Sequence, residues 1–263
     1  KGQEAHRPPH AMVKHAGLVL LAWVLASGCG DSPSEPSEEF LLSQSLETAA
    51  YVFHYSRNDY VEPERQQAFH DWATRELGVS PERQISYNKY RSRGHMGQLT
   101  GAYNTNAYAD PGEFALHTIW SYDNHESVHL YTSLFGSPVA LLNEGIAVSF
   151  QTDPAGNDFT PKWNLQELHP ITRGFRNRGT FVPLDDLLET SNFLLAPSDV
   201  RYPESGSFVL FLRESRGIDR LKALFALGNE NDSKETLRLS FERVYGVPLE
   251  TIEAEWIALL DAG

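Results

Sequence analysis

Residues 121–151 read SYDNHESVHLYTSLFGSPVALLNEGIAVSFQ, and the fold turns on how this stretch is read. It contains His125-Glu126-x-x-His129, an H-E-x-x-H pattern. Two histidines four apart stand on one face of a helix, one turn above each other. Such a pair offers two imidazole nitrogens to a single Zn²⁺, and the adjacent glutamate can reach a water on the metal. A catalytic zinc takes three protein ligands and keeps one position open, so a third donor is needed. Leu134, Phe135 and Gly136 are expected to close the first helix, with Gly136 in the left-handed C′ position. Ser137 is a good N-cap, and Pro138 suits the first position of a second helix carrying Ala140 to Ala147. A tight turn folds that helix back beside the first and brings Glu144 towards the histidines. The competing reading is a helical hairpin whose His and Glu form a satisfied polar cluster.

The start of the first helix can be read in two ways. Asp123 and Glu126 fit a capping box, in which Glu126 bonds back to the helix start and is lost to chemistry. Ser121 is an alternative N-cap that frees Glu126, and this version is the one favoured here.

Before the motif, residues 46–56 read as a strand, and Pro63 opens a helix to about Leu77, with Phe69, Trp72, Ala73 and Leu77 on one face and Gly78 as its stop. Ile85 and Tyr87 mark a second strand, and residues 94–101 a loop. Residues 102–109 and 113–120 read as third and fourth strands. The pattern is a mixed sheet with a packed helix, which is α+β. After the motif, residues 152–180 are polar and rich in Gly, Pro and Asn, and read as a long loop or short irregular helices forming a cleft wall. Helices follow over 182–188, 204–216, 218–227, from Ser233 to Gly246, and from Pro248 with Leu249, Ile252, Trp256 and Leu259 on one face. His54, His70, His95, His117 and His169 lack metal-ligand spacing and are expected to be surface or hydrogen-bonded residues.

The amino-terminal region has its own logic. Residues 1–11 precede Met12 and read as an over-extended translation start or a truncated native extension. Lys14 and the apolar run from Ala16 to Ala26 have signal-peptide form, so 1–28 is expected to be a signal region. It is too short to span a bilayer. Leu25-Ala26-Ser27-Gly28-Cys29 resembles the lipobox of bacterial lipoproteins, and Cys29 is the one cysteine in the chain. Acylated Cys29 would anchor the protein to a membrane without a spanning helix. An ordinary cleaved signal peptide with an incidental cysteine is the alternative. Residues 29–44 then form the lipidated cysteine and a flexible Ser/Pro/Glu-rich tether, leaving 45–263 as the folded domain. The net charge of −13, made more negative by loss of Lys1, Arg7, Lys14 and Glu4, argues against nucleic acid as a partner.

H-E-x-x-H followed, after a gap of fourteen residues, by Glu144 in Leu141-Leu142-Asn143-Glu144-Gly145-Ile146-Ala147 resembles the gluzincin metallopeptidases, and among them the peptidase MA-like proteins. The run from Tyr202 to Val209, the segment R-L-K-A-L-F at 220–225 and the terminal G-V-P-L-E at 246–250 extend the resemblance over roughly 45–262. It implies a zincin-like fold, with a small mixed-sheet lobe (45–135) ending in the zinc helix and a mainly helical lobe (136–263). It implies one Zn²⁺ per chain held by His125, His129 and Glu144, with Glu126 as general base in hydrolysis of a peptide or protein substrate. It also implies that Phe114–Ile119 is the sheet edge on which an extended peptide lies, and that Tyr202 stands near the cleft, able to bond the tetrahedral oxyanion. A tyrosine merely packed at a helix start is the alternative. The expected protein is an exported, lipid-anchored metallopeptidase of the bacterial envelope. The rival is a zinc-binding envelope lipoprotein acting without turnover as a binding or assembly module.

Overall fold

A computed structural model describes residues 41–153 and 158–263. The signal region, Cys29 and most of the tether lie outside the described residues. No described helix is long and apolar enough to cross a membrane.

The first half of this region is a sheet with a helix packed against it. The single strand expected over 46–56 is instead a hairpin, β1 (Gln44–Glu47) and β2 (Tyr51–Tyr55), because Thr48 turns the chain. Its N–H donates to the Tyr51 carbonyl at 2.9 Å, and its Oγ1 accepts from the Tyr51 N–H at 3.2 Å. Helix α1 (Pro63–Leu77) starts on its proline and ends at Gly78, whose φ of 59° is the left-handed stop the sequence announces. Strand β3 (Ile85–Lys89) follows. Residues 94–101, expected as a loop, lie in helix α2 (Arg93–Thr100), where the Ser92 hydroxyl caps the His95 N–H. Gly97 is misleading there: it marks a close approach, since a Cβ would stand 2.2 Å from the Tyr103 ring. Strands β4 (Ala107–Asp110) and β5 (Ala115–Thr118) complete a five-stranded mixed sheet in the order β1-β2-β3-β5-β4. Pairs β2–β3 and β3–β5 are parallel, and both outer pairs are antiparallel. Segment Phe114–Ile119 is therefore interior, paired on both sides, and the edge belongs to β4. The expectation of an edge at 114–119 is corrected on this point.

Helices α3 (Asn124–Thr132) and α4 (Ala140–Phe150) carry the decisive stretch. The expected long loop after them holds a small hairpin, β6 (Lys162–Trp163) and β7 (Gln166–Glu167), and helix α5 (Leu168–Arg178). The hairpin turns through Asn164 and Leu165, both at positive φ (48° and 66°), without the glycine that usually signals such a turn. Short helices α6 (Leu184–Leu187) and α7 (Thr190–Leu195) lead to α8 (Ser198–Arg216). That last helix begins six residues before the expected 204, with Pro203 inside it. The missing proline N–H would have served Asp199, which sits on an exposed turn where water can replace it. Helices α9 (Ile218–Leu227), α10 (Lys234–Tyr245, capped by Ser233) and α11 (Leu249–Ala262) lie where expected, except that the buried face of α11 ends on Leu260 and Leu259 is exposed. The described residues thus form an α+β arrangement, with the sheet in the first half and helices dominating the second.

Helix α4 is apolar almost all round and lies in the middle of the molecule, with Leu141, Leu142, Ile146, Ala147, Val148 and Phe150 buried. It crosses α8 closely. A Cβ on Gly145 would stand 2.7 Å from the Ser205 carbonyl oxygen, and one on Gly206 would stand 2.4 Å from Val148. Arg213 of α8 secures the far end of α4 by donating to the Ser149 carbonyl at 2.6 Å, its guanidinium 3.7 Å above the Phe150 ring.

Helix α8 also carries an internal acid. Glu204 is 1% exposed and forms no ion pair among the described residues. Its carboxyl accepts the Val182 N–H at 3.1 and 3.3 Å. Burial pushes it up from the ordinary 4.5 to about 8, the hydrogen bond only partly opposing this. The folded chain therefore binds the extra proton between these values, so stability is full below about pH 4.5 and falls as pH rises through 8. Glu204→Gln keeps the acceptor and removes the titration. Thermal melts at pH 5 and pH 9 are expected to show the variant gaining on the order of 3 kcal/mol over wild type at the higher pH only.

Candidate metal centre

The first two donors come from α3. Its inner face, with Val128, Leu130 and Tyr131, is buried, which turns His125 and His129 towards the cleft. Asp123 is the N-cap, not Ser121: its Oδ1 accepts the Glu126 N–H at 3.1 Å, and Oδ2 accepts the Thr118 hydroxyl at 2.7 Å. The Ser121 hydroxyl instead donates to Glu62 at 2.6 Å. The favoured cap is thus corrected, yet Glu126 is free. The capping box is half made, and among the described residues the Glu126 carboxylate has no hydrogen-bond partner, while it lines the cleft beside His125 and His129.

The link between α3 and α4 also departs from the expected form. Gly136 is not left-handed. It is small because the chain passes α9 there, where a Cβ would stand 2.3 Å from the Phe225 carbonyl oxygen. Ser137 forms a parallel bridge with Asn229, and α4 starts after Val139, its Ala140 N–H donating to Thr190 Oγ1 at 3.1 Å. The outcome is nonetheless the expected one: α4 returns beside α3 and delivers Glu144.

The three side chains converge. His125 Nε2 lies 3.2 Å from His129 Nε2, and Glu144 Oε2 lies 3.3 Å from the first and 3.6 Å from the second. Donors bound at about 2.0–2.1 Å around one tetrahedral ion stand about 3.3 Å apart. All three separations fall near that value, so the donor set fits a single ion of that size. Among the described residues this is the one group of His, Cys, Asp or Glu with donors gathered in this way, and it could hold a metal ion. His125 Nδ1 faces Gln151 Oε1 at 3.2 Å. That contact puts the proton on Nδ1 and leaves Nε2 as a donor to a metal. Gln151 is absent from the sequence-based set. It stands just past the end of α4 as the C-cap residue, in an extended conformation, and no helical spacing in the sequence marks it. His129 Nδ1 is buried with no partner among the described residues.

Without a metal, the cluster holds itself together by charge. Burial disfavours a charged His125, but its hydrogen bond to Glu144 and the charges of Glu126, Glu144 and Asp123 outweigh this and raise it to about 9. Burial likewise opposes ionisation of Glu144, and the hydrogen bonds and charges of both imidazoles hold it well below the usual carboxylate range. Burial, with the charge of Glu126, lifts Asp123 to about 6.

Tyr202 comes from the first part of α8. Its ring meets His125 edge-on at 6.3 Å, stacks on Trp163 at 5.4 Å and meets Phe193 at 6.0 Å. Burial, then the nearby Glu144 charge, raises its pKa, so the hydroxyl keeps its proton and can donate. The ring is packed and also lines the cleft, so both sequence readings of Tyr202 describe part of its position. The five histidines set aside do not join the cluster. His70 meets the Tyr131 hydroxyl, His117 lies between Tyr108 and Tyr90, and His169 meets Ser207.

The cleft has two cavities sharing Thr105, Ala107, His125, Glu126 and Tyr202. One of about 390 Å³ runs past Tyr108, Ser133 and Asn143, and one of about 830 Å³ past Trp120, Gln151 and Trp163. Strand β4 contributes to both, so the sheet edge, where Thr105 Oγ1 holds the Ala107 N–H and carbonyl, and the three donors face one space. No protein-family model matches the chain, and none of the curated proteins matches it.

Proposed function

We propose that the chain is a zinc-dependent peptidase of the gluzincin, peptidase MA-like type, with a zincin-like fold, exported to the bacterial envelope and lipid-anchored through Cys29. The observation that carries the reading is the convergence of His125, His129 and Glu144 on one point, with an unpartnered Glu126 carboxylate beside it. His125, His129 and Glu144 would hold the zinc. When bound, the ion supplies Lewis-acid chemistry, polarising a peptide carbonyl and acidifying water.

The remaining work falls to the chain. Strand β4 is the sheet edge beside the donors and offers an extended peptide a partner there, once the Thr105 hydroxyl that now holds the Ala107 N–H and carbonyl gives way. Glu126 takes the proton from the attacking water on its carboxylate and passes it to the departing amine. Tyr202, protonated, donates a hydrogen bond to the oxygen that gains charge as the carbonyl carbon becomes tetrahedral.

The test is metal analysis of protein purified without chelator, followed by profiling on a broad peptide library. One zinc per chain is expected, with cleavage abolished by chelation and restored by added zinc. Zinc at full stoichiometry with no cleavage would replace the peptidase by a non-catalytic binding or assembly module. Absence of tightly bound metal would defeat both.

A further inference from the structure

We propose that Gln66 of α1 is a positioning residue: it occupies the backbone donor that Glu126 would otherwise bond, and so keeps that carboxylate in the cleft. The inference rests on the reading of Glu126 as general base. In a capping box the third helical residue bonds back to the N–H of the N-cap residue. Here the segment Asp123-Asn124-His125-Glu126 has the residues for both halves, and only one half forms. Asp123 Oδ1 accepts the Glu126 N–H, but the Asp123 N–H donates to Gln66 Oε1 at 3.0 Å.

Nothing in the sequence near the helix supplies this acceptor; it comes from a residue fifty-seven positions earlier. Gln66 is 0% exposed, and its amide is held in one orientation. Its Nε2 donates to the Asp123 carbonyl at 3.1 Å, to Ser127 Oγ at 2.8 Å and to the Tyr51 hydroxyl at 3.1 Å. Turning the amide over would set its NH₂ against the Asp123 N–H. The Tyr51 hydroxyl in turn lies 2.6 Å from that of Tyr131, on the buried face of α3. Asp123 is itself buried, so its N–H needs an acceptor. With Gln66 removed, the carboxylate already placed by sequence to bond that N–H is Glu126.

The variant is Gln66→Met, similar in length and without an acceptor. In a crystal structure of its metal-free form, the Glu126 carboxylate should lie within hydrogen-bond distance of the Asp123 N–H. On a cleaved peptide, kcat should fall about 10- to 100-fold with KM changed less than about threefold and metal content unchanged. Tyr51→Phe, which removes one partner of the amide but not the Asp123 bond, should keep kcat within about twofold. A second measurement does not depend on the folding of Gln66→Met. Glu126→Ala in the otherwise wild-type, metal-free protein should shift Tm by less than about 2 °C, because no cap bond is lost. A Gln66→Met structure with Glu126 still in the cleft, a fall in Tyr51→Phe equal to that of Gln66→Met, or a Tm loss above about 4 °C in Glu126→Ala would overturn the assignment. Structure and melting are read without metal or turnover. A chain that binds metal and hydrolyses nothing would therefore defeat the peptidase reading and leave this one standing.

Discussion

Replacing Glu126 by Gln is expected to lower kcat on peptides about a hundred- to ten-thousandfold while metal content stays at one per chain. The substitution keeps the length and shape of the side chain and removes its ability to accept a proton. Nothing else should change, because the carboxylate makes no hydrogen bond among the described residues that the amide would lose. Metal affinity rests on His125, His129 and Glu144, whose donors it does not touch. Steady-state kinetics on any peptide found by profiling, beside elemental analysis, decides the matter. A variant with full activity removes Glu126 from the chemistry. A variant that loses metal shows instead that the residue maintains the site.

Glu144→Ala should do the reverse and empty the site. Structural zinc sites bind with about 10–16 kcal/mol shared over four ligands, so removing one donor costs roughly 3 kcal/mol, or a hundred- to thousandfold in affinity. Two imidazoles would remain, their Nε2 atoms 3.2 Å apart with no anion between them. Competition with a chromophoric chelator measures the loss, and hydrolysis should fall with occupancy. Unchanged affinity would mean that Glu144 only neutralises the histidines and that the metal, if any, takes other donors.

The donors themselves were legible because spacing determines them: four residues on one helix, then a turn, then a carboxylate in an apolar run. Small residues are ambiguous in sequence. Gly136 and Gly97 have the local signature of a helix stop and a loop, whereas each is small because another part of the chain passes at less than 3 Å from where a Cβ would be. Their reason lies in Phe225 and Tyr103, and for Gly136 that partner is nearly ninety positions away. Ser121 is the cap that local sequence favours, but Thr118 and Gln66, both outside the helix, hold Asp123 in that role. The resemblance makes the strand before α3 the edge, but edge position depends on pairing order, which local pattern does not carry. Pro203 hid six residues of α8, including Tyr202, because a proline early in a helix is tolerated only where the carbonyl it abandons meets water, and exposure is a property of the fold. The helices whose ends are marked by Gly78, Gly217, Ser233 and Gly246 came out where expected, since their signals are local.

The crossing at Gly145 and Gly206 has a mechanical consequence. Because α4 and α8 touch there nearly backbone to backbone, Glu144 and Tyr202 are mounted on one stiff block and cannot drift apart, however the rest of the protein breathes. The wall behind the third donor is thus close-packed, built from the Ser205 backbone and the Val209 and Val148 side chains, and leaves little room to yield to a larger ion. Widening of the groove to admit a chain must then come from the opposite bank, where β4 pairs with a single strand.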